Sequence, residues 1–192
     1  NYGWEIEPDQ LVSYVESEAK RGDGWVKLVG DWIDRDLGDL GPCWPRTALE
    51  AAIARAHELG ARVTAHVFGQ DALPDLLGAG IDGIEHGTGL SPELIALMAE
   101  RGVSMVPTLV NIDNFPLYAE QGEARFPKYA THMRVLHERR YRTVNAAYEA
   151  RTCSPRSSSW VDVPAWPFNA PVAAAVAICW KRTVLRWTCI SR

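Results

Sequence analysis

The chain predicts an α/β fold, part of a (β/α)8 TIM barrel with about four parallel strands, outer helices and an irregular C-terminal tail. Three observations carry this. Short apolar runs alternate with helix-length amphipathic segments at intervals of roughly 20 residues, the pattern of strand–helix units in a parallel sheet. Lys27, His66 and His86 occupy central or last residues of three successive runs, as barrel active sites are built. No glycine-rich phosphate loop follows any strand, so the open doubly wound sheet that also fits the alternation is the weaker choice.

The elements follow in order. Residues 9–21 place Leu11, Val12, Val15 and Ala19 at helical spacing, and Gly22 closes the helix. Strand 24–30 carries Lys27. Residues 31–45, rich in Asp, Gly, Pro and Trp, read as a long loop of the kind that covers an active site. In 47–59 the residues Ala48, Leu49, Ala52, Ile53, Ala56 and Leu59 form one helical stripe ended by Gly60. Strand 62–68 carries His66, and a short helix through Leu73, Leu76 and Leu77 stops at Gly78 and Gly80. Strand 83–86 ends on His86. Ser91-Pro92-Glu93 opens another helix with a cap, a first-turn proline and an acid near the positive end, and Gly102 closes it. Strand 103–107 puts Pro107 at its end, where a missing N–H is tolerated. Residues 111–128, with Pro116 and Pro127, read as irregular, and a long helix covers 129–150.

Composition bounds the function. The 192 residues are 47% hydrophobic and 23% charged, an ordinary soluble balance for one domain. A net charge of −4 leaves no footprint for nucleic acid or an anionic membrane. The most apolar stretch, 172–180, is half the roughly 18 residues of a membrane span. Four cysteines lack zinc-finger or CxxC spacing. With no charged-then-apolar leader at Asn1, a cytoplasmic location is the expectation.

The averages hide a seam near Ala150. Residues 1–150 hold 14 Lys and Arg against 23 Asp and Glu, whereas 151–192 hold 6 against 1. All 15 glycines precede the seam, and no Glu follows it. Cys153, Cys179, Cys189 and half of the eight tryptophans crowd the tail. Residues 1–150 therefore read as a partial barrel and 151–192 as an unrelated tail, either a frameshift product or an accessory extension.

Three side chains bear the chemistry. His66 shares a strand face with Thr64 and Phe68, with Val63, Ala65 and Val67 opposite. His86 ends the next strand; Glu85, one residue earlier, is expected to point away and takes no ligand role. A lysine amid an apolar strand must be paired, deprotonated or modified. Lys27 either reaches a carboxylate such as Asp31 or becomes a carbamate, which is an anionic metal ligand. Thr108 and Asn111, after the last strand, read as pocket residues. Cys43, in the expected loop, reads as a bystander, His57 as a surface residue, and His132 and His137 as not sharing a helix face.

The ordered set Trp-Val-Lys27-Leu-Val, Val-Thr-Ala-His66-Val, Gly-Ile-Glu-His86-Gly and Val-Pro-Thr-Leu-Val resembles the amidohydrolase superfamily, and within it the imidazolonepropionase-like and prolidase-like enzymes. The likeness covers residues 2–150. It implies a metal-dependent (β/α)8-barrel hydrolase of carbon–nitrogen bonds, with one or two divalent ions, zinc by preference, and a small-molecule substrate. In binuclear members the fourth strand supplies a carboxylated lysine and the fifth and sixth a histidine each, which carry over to Lys27, His66 and His86. Two such metals, roughly 3.5–4 Å apart, hold a bridging hydroxide.

Two parts of the family pattern are absent. No HxH pair occurs, and where the glycine-led strand with its general-base aspartate should begin the chain reads Arg151-Thr152-Cys153-Ser154-Pro155. Asp162, in Trp-Val-Asp-Val-Pro, is the tail's one acid and lacks the family context. The resemblance thus implies an incomplete copy, with no catalytic residue retained and no turnover as it stands. The competing expectations are a non-catalytic amidohydrolase remnant or a barrel-derived binding module, with homo-oligomers formed through exposed barrel edges.

Overall fold

The computed structural model describes residues 6–153. Four strands, β1 (Trp25–Val29), β4 (Arg62–Val67), β5 (Gly83–His86) and β6 (Ser104–Val106), form one sheet in the order β1-β4-β5-β6, every pair parallel. Val63, Ala65, Val67 and Ile84 are fully buried, as strands covered on both faces require. Helices α1 (Leu11–Arg21), α2 (Arg46–Glu58), α3 (Leu73–Gly78) and α4 (Pro92–Arg101) supply the outer layer, with α1 packed on α2. This is the partial-barrel α/β architecture that the alternation predicts. Among the described residues no helix is long and apolar enough to cross a membrane.

Local chemistry explains the boundaries. Ser91 Oγ accepts from Leu94 N–H at 3.4 Å, Pro92 takes the first turn of α4, and Gly102 ends that helix at φ +69°. The loops that follow β4 and β5 lie backbone to backbone. A Cβ on Gly89 would sit 2.2 Å from the Gly69 carbonyl carbon, so only glycine permits this approach.

Two expectations are corrected. Residues 31–45 are not a loop but an antiparallel hairpin, β2 (Asp31–Asp34) and β3 (Asp39–Pro42). Its turn is built by Asp34, whose Oδ1 accepts from the N–H groups of Asp36 and Leu37, and by Gly38 at φ +68°. Residues 111–128 are not irregular either. Most of them lie in α5 (Leu109–Ile112), α6 (Phe115–Gly122) and the start of α7 (Pro127–Glu149), joined by the short turns 113–114 and 123–126. Pro116 and Pro127 fall in the first turns of α6 and α7, where no intrahelical N–H bond is lost.

Packing continues through the last described residues, 151–153. Thr152 is buried, its carbonyl accepts from Met105 N–H at 2.9 Å on β6, and Cys153 packs against the core. The chain thus returns to the β6 edge. The expectation of an irregular tail, and Asp162 with it, falls on residues 154–192 and lies outside the described residues.

Candidate functional site

The register decides which side chains share a face. Val29 pairs with His66 and His66 with Glu85; two residues earlier, Lys27 pairs with Thr64 and Thr64 with Gly83. Pleating therefore puts Lys27, His66 and Glu85 on one face. His86 is opposite Val67 and would point the other way. Its backbone adopts φ +67°, a left-handed conformation rare outside glycine, and this turns the imidazole back toward His66. His66 Nδ1 and His86 Nε2 lie 2.8 Å apart, both rings buried.

Glu85 corrects the sequence reading. It does not point away from the site: its carboxylate pairs with the Lys27 ammonium, and both groups are buried. Asp31, the carboxylate expected to meet Lys27, is engaged elsewhere. Its oxygens accept from Phe68 N–H at 2.9 Å and Gly69 N–H at 2.5 Å, tying the start of β2 to the end of β4. The signal for Glu85 was present in the parallel register, because residues opposite one another in neighbouring parallel strands share a face.

Burial sets the protonation states. Desolvation pushes His66 down to about 3, helped by the positive charge of Lys27. His86 is pushed well below its ordinary value by burial, then by His66 and Lys27. Both rings are neutral at physiological pH, the form that binds metals. Asp31 is raised to about 6 by burial, against the pull of the Phe68 and Gly69 amides.

Other groups complete the surroundings. Thr108, itself left-handed at φ +44°, hydrogen-bonds His86 Nδ1 through Oγ1. Asn111 accepts from the Tyr118 hydroxyl at 3.0 Å. Phe68 lies edge-on to His66 with ring centroids 4.2 Å apart, and partly exposed Trp32 on β2 stands 5.6 Å from the same imidazole. Arg139 of α7 donates to the carbonyls of Thr88 and Leu90, while Thr88 Oγ1 donates to the Phe68 carbonyl, fastening the loops after β4 and β5 together. Trp32 and Arg139 had no signal in the sequence, since their relation to the histidines is purely spatial. His57 pairs with Asp82 and His132 with Asp39; Cys43 packs against the core.

The donors can be tested against a metal. The side chain of His66 ends in Nε2, a buried atom without a hydrogen-bond partner, 3.8 Å from Asp31 Oδ1. An unpartnered ring nitrogen on a neutral imidazole, beside a second neutral imidazole, fits a divalent cation. Lys27 as an ammonium held by Glu85 does not. Among the described residues no group of three or more His, Cys, Asp or Glu side chains gathers closely enough to hold a metal.

No protein-family model matches the chain. It is 60% identical over 141 residues to the uncharacterized proteins Rv2915c of Mycobacterium tuberculosis and Mb2939c of Mycobacterium bovis, an alignment covering 73% of the chain and 38% of each relative. The chain thus spans little more than a third of those proteins. Among solved structures it is similar to an ochratoxinase of A. niger (TM-score 0.62, 19% identity, 77% of this chain and 33% of that one). It is also similar to a Xaa-Pro dipeptidase with methionine bound in its active site (TM-score 0.59, 23% identity, 76% and 36%). A prolidase from Bifidobacterium longum, described as putative, matches at TM-score 0.56 and 22% identity over 74% of this chain and 36% of its own. At these identities the likeness is one of fold, that of a segment of amidohydrolase and prolidase barrels.

Proposed function

We propose that the chain is a segment of a metal-dependent hydrolase that cleaves carbon–nitrogen bonds of small molecules, amide, peptide-like or cyclic. The observation that carries this is the His66–His86 pair: two buried, neutral imidazoles in contact at the C-terminal ends of adjacent parallel strands, where barrel enzymes keep their active sites. The fold likeness to prolidases and an ochratoxinase supports the same reading.

His66 and His86 would hold the ion, zinc by preference. Lys27 would join them only as a carbamate, which requires it to leave Glu85. When bound, such an ion lowers the pKa of a coordinated water toward neutrality and polarises a carbonyl. The chain's own residues do the rest. Burial keeps both imidazoles unprotonated, so no proton has to be removed before a cation binds. Asp31 and the Thr88–Arg139 contacts hold the two loops that flank the histidines. Buried Phe68 and exposed Trp32 set two aromatic rings beside His66.

The test pairs binding with turnover. Zinc titrated into the 192-residue chain, followed by chelator competition, should bind at one site lost in both His66→Ala and His86→Ala. Zinc retained by both variants removes the reading. Hydrolysis of N-acyl amino acids, dipeptides and lactones should be absent or very weak in this chain, whose sequence after Ala150 lacks the family's glycine-led segment with its aspartate, and present in a longer relative such as Rv2915c. A relative that binds zinc through the matching histidines yet cleaves none of the panel would favour a binding module.

A further inference from the structure

Strand β2 brings one bulky side chain to the histidines from outside the parallel sheet. Burial along β2 alternates, with Asp31 and Ile33 the more buried residues and Trp32 and Asp34 exposed. On the buried side, Asp31 accepts from the Phe68 and Gly69 N–H groups and fixes where β2 starts. On the other side the indole of Trp32 is 36% exposed, its ring centroid 5.6 Å from that of buried His66. A tryptophan thus leaves apolar surface in water beside the imidazole whose Nε2 has no hydrogen-bond partner.

The hairpin leaves this ring uncovered and holds it in place. The residue opposite Trp32 on β3 is Gly41, which has no side chain to lie against the indole. A Cβ at Gly41 would sit 3.1 Å from Asp34 Cβ and 3.3 Å from Leu37 Cδ1, so Leu37, also exposed, folds onto the face that Trp32 and Asp34 share. Beside the hairpin's base, Cys43 N–H donates to the Gly30 carbonyl at 2.9 Å. At its tip, the Gly38 carbonyl accepts from Tyr129 N–H of α7 at 3.1 Å, and Asp39 pairs with His132 of the same helix. An aromatic ring on an element anchored at both ends is a preformed contact.

We propose that Trp32 is a specificity-determining residue, which receives a bulky apolar group, aromatic by preference, next to the bond presented to His66 and His86. The substrates are then amides with such a group on one side of the scissile bond. This rests on the hydrolase reading for the bond that is cleaved; the contact between the indole and an apolar group does not need it.

Selectivity of binding, not turnover, is the readout. N-acetylglycine, N-benzoylglycine and N-acetylphenylalanine share an amide and a carboxylate, and each of the last two adds one aromatic ring. Their affinity ratio therefore cancels whatever holds the polar part. In NMR titrations of the 192-residue chain, at least one aromatic acid should bind about 10-fold more tightly than N-acetylglycine, the effect of one well-packed ring. It should also move the indole N–H resonance of Trp32, assigned by its loss in Trp32→Phe. Trp32→Phe should keep the preference within about 3-fold, because a ring remains. Trp32→Thr, which suits an exposed strand position, should abolish it.

Equal affinity for the three acids, a preference unchanged in Trp32→Thr, or a Trp32 resonance that none of them moves overturns the proposal. Tighter binding of Nα-acetyl-lysine than of either aromatic acid also overturns it, since the indole would then be a cation site. Should Trp32→Thr fail to fold, the affinity ratio and the resonance shift in the unaltered chain decide. Zinc bound through both histidines with no aromatic preference defeats the role of Trp32 alone. An aromatic preference without zinc binding defeats the metal reading and leaves the Trp32 contact standing.

Discussion

Lys27 and Glu85 state the residue-scale problem. Each is buried, and the two pair with one another. Glu85→Gln removes the carboxylate that faces the buried Lys27 ammonium and should destabilise the chain by about 3–5 kcal/mol in urea denaturation. The double variant Lys27→Met with Glu85→Met should recover most of that loss, since apolar side chains of similar size replace a buried ion pair at little net cost. A double variant as unstable as the single one would show that Lys27 is held by something other than this pair. Gly89 is a second residue-scale point. Because its missing Cβ would collide with backbone rather than with a flexible side chain, Gly89→Ala should cost roughly 3 kcal/mol, the upper end for overpacking, in the same denaturation assay.

Helix α1 is held to α2 partly through Glu16, which accepts from Arg55 Nε at 3.0 Å and also pairs with Lys20. The Arg55 bond, then the Lys20 bond, lowers the Glu16 carboxyl from 4.5 to about 2. A carboxylate depressed in the folded state stabilises at pH above its unfolded value, and the stabilisation disappears as pH falls through the folded one. The stability difference between the unaltered chain and Glu16→Gln should therefore be full above about pH 4.5 and fade toward pH 2. A difference that is flat across that window would show the contact to be electrostatically idle. Helix α4 carries a simpler expectation. Ser91→Ala removes its cap and should cost about 1 kcal/mol, read from the denaturation midpoint.

The molecule as a whole is a sheet with one edge closed by its own continuation. Met105 N–H on β6 finds its acceptor in Thr152, beyond the compositional seam. A chain ended after Ala150 should be about 1–3 kcal/mol less stable than one ended after Cys153, because the buried Met105 N–H then has no partner. Equal stability of the two truncated chains would show that the three residues after the seam contribute nothing.

Much of this protein was legible in one dimension. Hydrophobic period, caps and glycine stops placed β1, β4, β5, β6 and the helices α1, α2, α4 and α7 to within a few residues, because those signals are local and the core enforces them. Prolines misled at 111–128, since Pro116 and Pro127 start helices there rather than interrupt them. The hairpin of 31–45 was hidden because its Asp and Gly residues are turn formers in either reading.

The sequence alone determined the strand–helix alternation and the three strand ends that carry Lys27, His66 and His86. Only the tertiary structure decided how those ends meet. Period-two alternation assigned His86 and Glu85 to opposite faces, and so removed Glu85 from the site. The left-handed backbone at His86 brings its ring back to His66, while Glu85 stays on the pleat and reaches Lys27. A backbone angle at one residue and a pairing between residues 58 apart are products of packing, and neither has a local signature.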